Sequence, residues 1–180
     1  MVELIAQADE TALAASGLAC LDRCVPLFGD GVDEQVLRPL WANLAHGTAW
    51  DGALAGARRA LAAGEGGAGP ACPGGGEAAA LARRMLAAVP ARRTAGALRT
   101  WADGCSAAAL QVHRLLDTTD EGPRRRVAPL VAAELRRQIR VLELLAGSAP
   151  GGGLRQVLDV STEGRRVLRA AVSRRARSTP

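Results

Sequence analysis

Leucine and alanine recur every three to four positions along most of this chain, as in Leu98, Trp101, Cys105, Ala109, Val112 and Leu116. That period matches the 3.6-residue turn of an α-helix and gathers apolar side chains on one face. A strand would need two-residue alternation, and β-branched or aromatic residues that fit a pleated surface. The chain has 24 Leu against 13 Val and 2 Ile, and no long alternating stretch. The pattern predicts an all-α fold. Short connections make successive helices antiparallel neighbours, so the expected architecture is an irregular antiparallel helical bundle of six or seven helices.

The helices can be placed from their stripes and punctuation. Residues 9–24 form the first, with Leu13, Leu18, Leu21 and Val25 on one side. Pro26 and the turn-forming Gly29-Asp30-Gly31 end it. A second is expected over 33–45, with Pro39 kinking or restarting it because proline has no N–H to give. Thr48, with Asp51 three residues on, fits an N-cap for a third. Residues 64–76 carry so much glycine and proline that they read as a flexible linker. Further helices follow over 77–89, from a Thr94 cap to Leu116, over 125–146 with Pro129 in the first turn, and over 154–175. The last is expected to break near Ser161–Gly164. A length of 180 residues suits one domain over 1–176, interrupted by that linker and followed by a disordered tail at 177–180.

Composition excludes several chemistries. All 23 basic residues are arginine. Without lysine there is no Schiff-base anchor and no phosphate-loop lysine. The Ala-, Gly- and Arg-rich usage is what a GC-rich bacterial genome produces. The acidic start Met1–Glu10 lacks the positive leader and apolar core of a secretory signal, and no window is long and apolar enough to span a bilayer. A cytoplasmic protein with reduced cysteines is expected. Gly64, Gly66 and Gly69 spell a dinucleotide-type string, but it lies between a helix end and Pro70 instead of between a strand and a helix, so it reads as linker.

Few residues could carry chemistry. Cys20 and Cys24, four apart, share one edge of a helix and are the weak candidates for a metal or redox pair. The other Cys and His residues, Cys72, Cys105, His46 and His113, show no zinc spacing, and no metal or cofactor is expected. Cys105 lies in mid-stripe, as a small buried hydrophobe would. His113 sits at the shoulder of its stripe, which suits a boundary histidine with its hydrogen bonds made. Asp117, Asp120 and Glu121 read as solvated turn acids. Glu134 and Gln138, one turn apart, fall at the margin and near the middle of the stripe Val131, Leu135, Ile139, Leu142 and Leu145. Burying such groups unpaired costs about 1–3 kcal/mol. They must therefore bond to each other and a neighbour, or line a pocket. Together with His113 they are the candidate polar core site.

Charge is divided unevenly. Residues 1–76 hold 4 Arg against 9 acids, and residues 77–180 hold 19 Arg against 9. Arg155, Arg165, Arg166, Arg169, Arg174, Arg175 and Arg177 crowd the final helix. Arg165 falls on its apolar side, which is the reason to expect a break there. A basic amphipathic helix suits an acidic protein or another anionic partner. Nucleic acid has no supporting motif in this chain. The leading expectation is a non-enzymatic interaction or regulatory accessory protein that uses this helix. The alternative is a metal- or thiol-dependent enzyme or redox sensor built on Cys20, Cys24 and the bundle-core polar residues. Wide apolar stripes also suit a homo-oligomer, although no surface for it can be named.

Overall fold

A computed structural model describes residues 8–29, 31–47, 49–63, 70–117, 128–147 and 153–177. These residues form seven α-helices: α1 (Glu10–Arg23), α2 (Arg38–His46), α3 (Trp50–Ala63), α4 (Gly75–Ala87), α5 (Ala95–Leu116), α6 (Pro129–Ala146) and α7 (Leu154–Arg177). A short 3₁₀ turn, Val25–Phe28, follows α1. The expected all-α bundle is what forms.

Helix α1 is the hub. It packs against α5, α7 and α6, with α2 and α4 also in reach. From Leu13 to Arg23 every residue but Ser16 is buried, as expected of a helix that is apolar nearly all round. Asp9 caps its start, its carboxylate accepting from Ala12 N–H at 2.7 Å. Two glycines let neighbours come close. A Cβ on Gly17 would lie 2.6 Å from the Trp101 ring, and one on Gly164 would lie 2.8 Å from Arg23 Cγ. Helices α5 and α6 run antiparallel: Ser106 meets Gln138, while His113, farther along α5, meets Glu134, earlier on α6.

The boundaries correct several expectations. The second helix begins at Arg38 with Pro39 in its first turn, and residues 34–37 form a turn, because proline's missing N–H is tolerated only where no helical acceptor awaits it. Thr48 and residues 64–69 lie outside the described residues. The buried Asn43 side chain of α2 can turn its amide oxygen to accept from Ala49 and Trp50 N–H, a cap supplied from another helix. Helix α4 starts at Gly75, inside the expected linker; before it, Cys72 donates its N–H to Pro70 and Gly75 donates to Cys72. Thr94 occupies the N-cap position of α5, but its hydroxyl makes no cap bond. Glu10 accepts from Ala95 N–H at 3.0 Å instead.

Most consequential, α7 is unbroken. Ser161 donates its hydroxyl to the Val157 carbonyl, so it stays helical, and Gly164 is the point where the Arg23 stem crosses. Residue 177 ends α7, and residues 178–180 lie outside the described residues.

The α2–α3 pair is joined to the loop between α4 and α5. Trp50 Nε1 donates to the Pro90 carbonyl at 2.8 Å, and Arg58 donates to the Ala87 and Val89 carbonyls at 3.0 Å each. All three tryptophans are buried, as their stripe positions implied.

Candidate functional site

The core polar site forms where α1, α5 and α6 meet, and its centre is a residue the sequence reading passed over. Arg23, the last residue of α1, is wholly buried. It grips Glu134 of α6 with two bonds: Nε donates to Oε2 at 2.9 Å and Nη2 to Oε1 at 2.6 Å. Such fork-to-fork pairing is among the stronger protein hydrogen bonds. Nη2 also reaches Cys20 Sγ at 3.4 Å, one turn back on α1.

Glu134 is shared. Gln138 Nε2 donates to its Oε1 at 3.0 Å, and the same amide reaches the Ser106 carbonyl at 3.3 Å. Ser106 Oγ donates to Gln138 Oε1 at 2.7 Å. His113 is not at a boundary but is entirely buried, and Glu134 is not marginal but 0% exposed. The helical projection misplaced them because it measured each helix against its own stripe. It could not see that α1, α5 and α6 close over that flank.

The electrostatics fix the protonation states. Burial works against a charged Glu134, but the Arg23 guanidinium and its hydrogen bonds hold the carboxyl below its ordinary range, so it is ionised. Burial lowers the His113 pKa, only partly offset by Glu134. The neutral ring donates from Nδ1 to the Ala109 carbonyl at 2.7 Å. Its Nε2 lies 3.7 Å from Glu134 Oε2 and has no hydrogen-bond partner among the described residues. The Cys20 thiol is pushed up to about 12 by burial. Burial likewise raises Cys24 and Cys105. A thiolate is the reactive form of cysteine, and burial favours the protonated thiol at all three positions. Among the described residues, no three His, Cys, Asp or Glu side chains gather to hold a metal.

A second buried pair joins α1 to α7. Asp22 Oδ1 lies 3.6 Å from Arg165 Nη1, and the same Nη1 donates to the Glu34 carbonyl. Arg165 Nη2 reaches Thr162 Oγ1 at 3.2 Å. Burial lifts the Asp22 carboxyl to about 6 against the pull of Arg165 and Arg23. Arg165 therefore leaves the set of surface arginines. Its place on the apolar side of α7 needs no helix break, because it is a core cation paired with Asp22.

The remaining basic residues of α7 behave differently. Arg155, Arg166, Arg169, Arg174 and Arg177 are exposed. Arg169 pairs with Glu34, and Arg177 donates to Ser173 Oγ at 2.7 Å. Arg175 is half-buried and donates to the Pro73 carbonyl at 2.8 Å and the Asp117 carbonyl at 2.9 Å. Asp117 also accepts from Leu130 N–H at 2.9 Å, helping to start α6; Asp120 and Glu121 lie outside the described residues. No helix among the described residues is long and apolar enough to cross a membrane. The chain matches no family model, no curated protein and no solved structure.

The missed residues, Asp22 and Arg23, had a signal. They are the only charges in an otherwise apolar run from Leu13 to Phe28. Two adjacent charges that cannot escape a buried helix must find buried partners.

Proposed function

We propose that this chain is a non-catalytic helical binding protein that docks an acidic protein surface on the exposed arginine face of α7. One observation carries the reading. From Gly164 to Arg177 the helix contains no acidic residue, while Arg166, Arg169, Arg174 and Arg177 face solvent. Guanidinium forks match carboxylates in charge and geometry, and surface potential of one sign steers an oppositely charged partner. The sealed state of the chemically capable residues supports the same reading. A general base must come within hydrogen-bond reach of its substrate, and His113 and Glu134 are both 0% exposed.

Deleting the end of α7 would be a poor test, because Leu168 and Ala171 belong to the core and Arg165 pairs with Asp22. Replacing Arg155, Arg166, Arg174 and Arg177 by glutamine leaves the core intact. The wild type should bind a fluorescent Glu-rich peptide with an affinity that falls as salt rises. The fourfold variant should bind at least about tenfold more weakly, the sum of several exposed ion pairs. Absence of peptide binding by the wild type, equal binding by a folded variant, or tighter binding to duplex DNA than to the peptide would overturn the proposal.

A further inference from the structure

The long helix α5 does not close completely against α4. Between them lies a cleft of about 520 Å³, within the range of small-molecule sites. Its floor is the Trp101 ring and Cys105, and its sides are Leu81 and Met85 of α4 and Ala97 and Ala108 of α5. The opening is made by missing side chains. Gly104 lines the cleft in the middle of α5, and a Cβ built there meets nothing within 4 Å. Gly17 and Gly164 contrast with it, each pressed against a neighbour's side chain.

The polar groups of the cleft restrict what can occupy it. Trp101 Nε1 already donates to the Met85 carbonyl at 2.9 Å, and the Thr100 hydroxyl to the Gly96 carbonyl at 3.1 Å. Neither group has a donor left for a ligand, and the Cys105 thiol is only a weak one, so the body of a ligand must be largely apolar. Among the described residues, the single charged lining residue is Arg84, exposed at the rim, and no acidic side chain lines the cleft. No ion pair or hydrogen bond holds the Arg84 guanidinium among the described residues. An apolar trough with one cationic rim complements an apolar body with one anionic end. We infer that the α4–α5 cleft binds a small monocarboxylate with an apolar body, its chain over Trp101 and its carboxylate on Arg84. This site is separate from the α7 face and stands or falls independently of it.

Decanoate is a suitable probe, with decanol and decylamine as its neutral and cationic counterparts. Calorimetric titration of the wild-type protein should show saturable one-to-one binding of decanoate, weaker binding of decanol and none of decylamine. Gly104→Leu, whose Cβ would meet nothing within 4 Å, places a side chain in the cleft and should abolish decanoate binding while leaving the helical circular dichroism intact. Arg84→Gln, a surface change, should bring decanoate down to the affinity of decanol, at least about tenfold, and leave decanol unchanged. The assignment is overturned if wild-type protein shows no saturable decanoate binding, if folded Gly104→Leu binds as well as wild type, or if Arg84→Gln does not distinguish acid from alcohol.

Discussion

Replacing Glu134 by glutamine keeps the shape of the side chain and removes its charge. The Arg23 guanidinium would then be a buried cation that has lost its directly bonded counter-ion, since among the described residues its Nη1 already lacks a partner and Cys20 is its only other hydrogen-bond neighbour. Breaking one side of a buried ion pair costs about 3–5 kcal/mol. That is a large part of the roughly 5–15 kcal/mol that holds a typical domain together. For a chain of this size it corresponds to a fall in Tm of roughly 6–20 °C. Removing both charges should behave differently. With Arg23→Met and Glu134→Met together, the methionine stem still lies along Gly164, and Gln138 keeps its two bonds to Ser106. Replacing a whole buried pair by apolar residues is often near neutral. The double variant should therefore recover most of the loss, giving a coupling energy of several kcal/mol in a double-mutant cycle. Urea unfolding followed by far-ultraviolet circular dichroism supplies all four stabilities. A Glu134→Gln protein within about 1 kcal/mol of wild type, or a double variant that loses the sum of the two singles, would refute the reasoning.

Other consequences follow from the same packing. Gly164→Ala should destabilise by about 1–3 kcal/mol, because its methyl meets the Arg23 stem, whereas Gly104→Ala should stabilise by about 0.5–1 kcal/mol through helix propensity alone; urea midpoints with unchanged slopes would show the opposite signs. His113 has a folded pKa below its ordinary 6.5, so as pH falls through that value the unfolded chain takes up the proton first and stability drops. Asp22 has the opposite sign: its pKa is raised to about 6, so protonation favours the folded chain as pH falls from about 6 towards 3.8. The His113 contribution is isolated by comparing wild type with His113→Leu from pH 7 to pH 5, where the variant's stability should decline less. A colorimetric thiol reagent should modify half-buried Cys72 in the native protein and reach Cys20 and Cys24 only on unfolding; rapid reaction of Cys20 or Cys24 in the native protein would contradict the sealed core.

The helices were legible because each carries its own evidence. Leu13, Leu18 and Leu21 mark the buried side of α1, and the stripe from Leu98 to Leu116 spans α5 almost from end to end, whereas Pro39, expected inside a helix, proved to lie in a first turn. What the sequence hid is what depends on two helices at once. Arg165 looked like a phase error in α7 because Asp22, its partner, lies far away in sequence on α1. Glu134 and Gln138 were recognisable as costly to bury, and the demand for partners was right in kind, yet Arg23 could not be named from one helix's projection. The cleft had no signature either, since Gly104 looks like every other glycine until its surroundings are seen to be empty.

Arg23, His113 and Glu134 are shut inside the bundle, and the state of one ring tests whether they stay so in solution. Long-range ¹H–¹⁵N spectra of His113 at pH 7 should show a neutral imidazole protonated at Nδ1, with that proton protected from exchange with water by its bond to the Ala109 carbonyl. An imidazolium at pH 7, or a ring proton that exchanges freely with solvent, would mean that the site is open and that its residues are available for catalysis.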